Sequence, residues 1–160
     1  MTLKKIFIIS LLFLSLRTQA QGLGENAVFF EAKNIINKNI NLDSLKGQVV
    51  VLNFWFTACA PCILEIDALN KVAEKYKDKV HFLAISFDKK DDYLTRFVRR
   101  REMQYQIIPD RKDICTAYKI KMYPTNIVIN KKGKVIFAEV GNKEDIESKL
   151  SEAIEMALKE

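Results

Sequence analysis

The sequence predicts an α/β fold, a central mixed β-sheet with helices on both faces. Three observations lead there. Residues 49–56 are an apolar, β-branched run with Asn53 as its one polar residue, the mark of a strand buried on both faces, and 80–87 read as a second buried strand. The stretches after each repeat their apolar residues every three or four positions, the period of an amphipathic helix. Near the end, two strand-like runs flank Lys131-Lys132-Gly133, a hairpin signal. Alternating strand and helix units build a parallel core, and a hairpin adds antiparallel strands at one side.

The elements follow in order. Residues 21–48 are polar and mixed, with apolar patches at 28–30 and 35–36. They read as an N-terminal extension with one or two edge strands, closing on a Leu45-Lys46-Gly47 turn. The main domain then spans 49–160. After strand 49–56, a helix is expected over 61–77, with Cys62, Ile66, Leu69, Val72 and Tyr76 on one buried stripe. Strand 80–87 ends at Asp88. A helix over 91–103 points Tyr93, Leu94, Phe97 and Val98 inward. A short strand at 105–108 stops at Pro109-Asp110, and 113–119 form one or two helical turns. Strands 125–130 and 134–140 make the hairpin. The last helix, 145–159, carries Ile146, Leu150, Ala153, Ile154 and Ala157 on one face.

The first twenty residues have a different character. Lys4 and Lys5 precede an apolar run over 6–16, and Thr18-Gln19-Ala20 follows. This is the pattern of a secretory signal cleaved after Ala20. At about 1.5 Å per residue, the apolar run covers roughly half of a hydrocarbon core of about 30 Å, so the mature form is not expected to span a membrane. The segment holds Lys4, Lys5 and Arg17 and no acid, so its loss lowers the formal charge from +6 to +3. A mildly basic domain of this kind gives no nucleic-acid surface. The cluster Arg96, Arg99, Arg100 and Arg101 reads as a solvated helix face.

An exported protein meets a compartment in which disulfides form. Three cysteines remain after cleavage: Cys59, Cys62 and Cys115. Three are too few for a disulfide scaffold. Cys59 and Cys62 stand two residues apart where strand 49–56 hands over to a helix, at the carboxyl end of the strands, the ligand side of open α/β sheets. Pro61 suits the first helical turn, where its missing N–H costs nothing. Cys59 is therefore expected at a helix N-terminus, whose unpaired N–H groups favour its thiolate. Cys59 attacks and Cys62, one turn inside, resolves. The residues between them, Ala60 and Pro61, bring no charge, which favours a reducing couple.

Two rivals are weaker. Zinc wants four nitrogen or sulfur ligands, and the single histidine, His81, opens a strand at the end opposite the dithiol. No metal is expected, and no cofactor beyond the Cys59–Cys62 disulfide itself. A peroxide-reducing cysteine of the peroxiredoxin kind has a threonine three residues before it; here Thr57 stands two before Cys59.

F-W-F-T-A-C-A-P-C at 54–62, the acid at Glu65 and Y-P-T at 123–125 resemble the TlpA/ResA-like branch of the thioredoxin fold. The resemblance runs over roughly 28–158. Asn53-Phe54-Trp55, Asp88 and the I-N-K-K-G-K turn also fit it. It implies a thioredoxin-like domain in which Pro124 is cis, faces the disulfide and keeps metals off the thiols. It implies that Tyr123 offers its backbone to an extended substrate by strand addition, and that Trp55 packs beside the dithiol. Glu65 lies three residues after Cys62, about 60° round the helix. Other thioredoxins keep a buried aspartate six residues before the first cysteine, where Asn53 stands here and does not titrate. The resemblance gives Glu65 the task of taking and returning the Cys62 proton. Two positions depart from the pattern: Ala58 replaces a usual tryptophan, and Phe56 a usual small residue. Cys115 reads as a small buried apolar residue.

The resemblance also implies an extracytoplasmic thiol reductant. Its partners are cysteine-containing exported proteins, such as apocytochromes c, and an upstream thiol electron donor. The alternative is a redox-linked binding module, or a copper- or metal-handling protein without turnover.

Overall fold

The computed structural model describes residues 22–160. The signal sequence expected over 1–20 lies outside them. Strands β1 (Glu31–Lys33) and β2 (Asn39–Asn41) come first, then β3 (Val49–Trp55), α1 (Ala60–Tyr76), β4 (Val80–Ser86) and α2 (Asp92–Arg100). They are followed by β5 (Gln106–Ile108), α3 (Lys112–Ala117), β6 (Thr125–Ile129), β7 (Val135–Val140) and α4 (Ile146–Lys159). The main sheet has the order β5-β4-β3-β6-β7. β3, β4 and β5 are parallel, and β6 and β7 run antiparallel to their neighbours. β1 and β2 pair with one another as a separate two-stranded sheet instead of edging the main one. No helix among the described residues is long and apolar enough to cross a membrane.

Every residue of β3 is buried, Asn53 included, as a central strand requires. Alternation along β3 sorts two cores. Val49 and Val51 pack with Leu69, Val72 and Tyr76 of α1 and with Leu150, Ile154 and Ala157 of α4. Val50, Leu52 and Phe54 face the other way, onto Ile114, Cys115 and Tyr118 in and after α3 and onto Phe30. α1, α2 and α4 thus share one face, and α3 and the N-terminal segment cover the other. This is the thioredoxin-like mixed sheet with helices on both faces.

Local chemistry sets the boundaries. The Asp91 carboxylate accepts the Leu94 N–H at 2.8 Å and so caps α2. The helix ends before Glu102, whose φ of 49° breaks it. In the β6–β7 turn Gly133 has a φ of 75°, and the Asn130 side chain accepts the Lys132 and Lys134 N–H groups. Three details differ from expectation. Tyr93 is 52% exposed, because Leu94 and Phe97 already define the inner stripe of a nine-residue helix. Phe56 and Phe87 lie just beyond the ends of β3 and β4. Tyr105 precedes β5, and its buried hydroxyl has no partner among the described residues.

Candidate active site

The site is built where β3 ends. Cys59 is the cap of α1, with extended backbone (φ −85°), and its Sγ accepts the Cys62 N–H at 3.2 Å. Pro61 lies in the first turn. The two cysteines are joined as a disulfide, S–S 1.97 Å, and both are buried. The approach is held by Asp88, which follows β4: its carboxylate accepts the Thr57 N–H at 2.6 Å and the Ser86 hydroxyl at 3.0 Å. Parallel pairing of Trp55 with Ser86 brings these segments together.

Trp55 packs in the same buried cluster as both cysteines, with its ring 5.7 Å from that of Phe97. The Tyr123–Pro124 peptide is cis. Antiparallel pairing of Phe54 with Thr125, continued one and two steps, sets Pro124 opposite Trp55 and Tyr123 opposite Phe56. The Phe56 and Tyr123 rings meet edge-on at 5.3 Å. Tyr123 packs against the dithiol cluster, and neither its N–H nor its C=O is hydrogen-bonded among the described residues. Its hydroxyl is bonded to the Cys115 thiol, and burial pushes the pKa of that thiol up.

Glu65 is 1% exposed, on the face of α1 that meets the sheet. Its carboxylate accepts Asn53 Nδ2 at 2.9 Å and Asn126 Nδ2 at 3.1 and 3.2 Å. Asn53 also donates to Asn126 Oδ1 at 2.9 Å. Burial raises the Glu65 pKa to about 7, although the bonds from Asn126 and Asn53 pull it down. A carboxyl that titrates near neutrality, one turn from Cys62, can accept and return a proton. The structure therefore gathers Cys59, Cys62, Glu65, Trp55, Tyr123 and Pro124 at one end of the sheet. His81 sits at the other end, Nε2 2.5 Å from Gln48 Oε1.

Asn126 is the residue that sequence reasoning missed. Its signal was present: an asparagine inside the apolar run T-N-I-V-I, on the same side as Val128 in a strand buried along its whole length. Asn126→Ala is expected to push the Glu65 pKa further up and to lower stability by about 1–3 kcal/mol at pH 8, where the carboxylate loses its donors. At pH 5 the carboxyl is protonated and the loss is smaller. Urea denaturation at the two pH values checks this; an equal loss at both contradicts it.

A family model, the AhpC/TSA family, matches residues 23–138. The chain belongs to the AhpC/TSA family. Among its relatives is the thioredoxin-like protein YneN of Bacillus subtilis, 32% identical over 132 residues, covering 79% of this chain and 78% of the relative. The thiol-disulfide oxidoreductase ResA of Bacillus cereus is 33% identical over 132 residues, covering 80% and 76%. The fold is shared with a thiol:disulfide interchange protein of the thioredoxin family from Chlorobium tepidum. That likeness has a TM-score of 0.73 at 22% identity and covers 87% of this chain and 99% of that one. Within the AhpC/TSA family this chain is a TlpA/ResA-like enzyme of the thioredoxin fold, a thiol-disulfide oxidoreductase.

Proposed function

We propose that the protein is an extracytoplasmic reductant of disulfides in exported proteins, the haem-attachment cysteines of an apocytochrome c being one such substrate. The observation that supports this most is the Cys59–Cys62 pair capping the 17-residue helix α1 above a buried glutamate with a pKa near 7. The basic, apolar and small-residue pattern of 1–20 supports export.

The Cys59 thiolate, favoured by the helix N-terminus, attacks one sulfur of the substrate disulfide. A Cys59–substrate bond forms, the substrate S–S bond breaks, and the first substrate thiolate leaves. Glu65 takes the Cys62 proton, and the Cys62 thiolate attacks Cys59 Sγ. The second substrate thiolate leaves and is protonated. Two electrons have passed to the substrate, and the protein holds its disulfide until an upstream thiol donor reduces it. Trp55 and cis-Pro124 wall the pair, and the main chain of Tyr123 takes up the extended substrate.

The test is the reduction potential of the pair, measured by equilibrating the domain in thiol buffers and counting alkylated cysteines by mass. A value near about −270 mV or below is expected of a reductant. A value near about −120 mV marks an oxidant and reverses the direction. A pair that never closes in solution leaves the binding module in its place.

A further inference from the structure

Beside the dithiol lies a group of rings that the exchange chemistry does not use. Phe56, Phe87 and Tyr123 come from three separate segments and touch one another. Their centroids are 4.7 Å apart for Phe56–Phe87, 5.3 Å for Phe56–Tyr123 and 5.6 Å for Phe87–Tyr123. Phe56 and Tyr123 pack against the cluster that holds Cys59 and Cys62. Phe87 forms the outer side and is 37% exposed, and Met122, next to Tyr123, is 58% exposed. Ala58, the residue before Cys59, is small and exposed, so it places no bulk over this end of the helix. Three mutually packed rings open to water on one side present an apolar surface at the point where a substrate must arrive.

Charge surrounds it. Lys89 and Lys90 follow Phe87, and Lys119 and Lys121 precede Met122; all four are exposed, and Lys90 Nζ donates to Asn37 Oδ1 at 2.7 Å. Of the acids nearby, Asp88 and Asp91 accept the Thr57 and Leu94 N–H groups, while Asp92 and Asp110 are exposed.

We propose that Phe87, Phe56 and Tyr123 form a shelf that seats a bulky apolar side chain next to the reacting cysteine of an extended substrate polypeptide, with acidic residues of that polypeptide lying among the lysines. The inference rests on the disulfide-reducing reading and adds a substrate class to it. The free main-chain groups of Tyr123 set the path of the substrate, so a side chain one or two residues from its cysteine meets the Tyr123 ring and its two neighbours. An aliphatic or aromatic side chain there loses water on the face that touches the rings.

The experiment uses the reduced protein and short single-cysteine peptides, each supplied as a mixed disulfide with a chromogenic aryl thiol. Each turnover oxidises the dithiol and frees one peptide thiol and one aryl thiol, whose absorbance is followed. Two peptides differ only beside the cysteine, leucine against glycine. The leucine peptide is expected to react about tenfold faster, the effect of burying roughly half of a leucine side chain. Phe87→Ala is expected to shrink that ratio to about threefold or less, and Phe87→Met, which restores apolar bulk, to bring it back. A third peptide with two aspartates beyond the leucine is expected to gain about threefold more at low salt and to lose that gain at high salt. Equal rates for leucine and glycine, or a ratio unchanged in Phe87→Ala, overturn the shelf and leave disulfide reduction standing. A salt-independent rate for the acidic peptide overturns the part assigned to the lysines. No aryl thiol released from any peptide overturns the disulfide-reducing reading itself.

Discussion

Cys62→Ala is expected to abolish turnover and to leave a single round of covalent capture. Cys59 still attacks, but nothing then displaces the substrate, and the mixed disulfide accumulates. The loss of turnover is on the order of a thousandfold or more, as expected when one member of a reacting pair is removed. Intact-mass analysis after mixing with a disulfide substrate should show one adduct, at Cys59. Cys59→Ala should show neither turnover nor adduct. Capture at Cys62 in the Cys59→Ala protein, with neither adduct nor turnover in Cys62→Ala, would exchange the two roles. The assignment follows from position: Cys59 is the cap residue, its sulfur accepting the Cys62 N–H of the first turn of α1, and Cys62 is inside the helix.

Glu65→Gln is expected to remove the proton acceptor of the second step. Above pH 7 the step that frees the substrate should slow by about a hundredfold, the usual contribution of a positioned general base. The wild-type rate should rise through pH 7 and level off as Glu65 ionises. The variant should lack that limb and follow only the thiol. Glutamine keeps the size and one acceptor oxygen, so an unchanged profile would mean that Glu65 is only structural.

Stability gives a second readout with a definite sign. The Glu65 pKa is raised from 4.5 to about 7 in the fold, so the folded state binds the proton more tightly than the unfolded chain. The stability linked to that proton is fully present below pH 4.5 and is lost as pH rises to about 7, a difference of about 3 kcal/mol. Glu65→Gln should flatten this part of the stability curve between pH 4.5 and 7. Denaturant midpoints across that range decide it.

The fold was legible because its strongest signals are local. The runs at 49–56 and 80–87 and the three-four spacing in α1 and α4 each fix an element without help from the rest. The helix N-terminus at Cys59 was legible for the same reason, since the end of the apolar strand and Pro61 in the first turn announce it. The surroundings of Glu65 were not. From its helix alone it passes for a solvated residue, and only the β3–β6 pairing of Asn53 with Asn126 brings two amide donors beneath it. Likewise Phe56 and Phe87 read as the last residues of two strands. Their meeting with Tyr123 depends on where three chain segments end in space. Tyr93 went astray because a two-residue apolar step, Tyr93-Leu94, does not say which residue faces inward.

The burial of Cys115 has a consequence for electron stoichiometry. The third thiol is 3% exposed, bonded to a phenol, and raised in pKa by burial, so little of it is thiolate at neutral pH. It neither competes with Cys62 for the mixed disulfide nor offers an incoming oxidant a second point of entry. On the proposed mechanism the folded chain is therefore expected to exchange electrons in pairs, through the Cys59–Cys62 couple. An odd cysteine, which in an oxidising compartment usually invites scrambling, is here held as a thiol by burial, against the opposite pull of the residue that precedes the cis-proline.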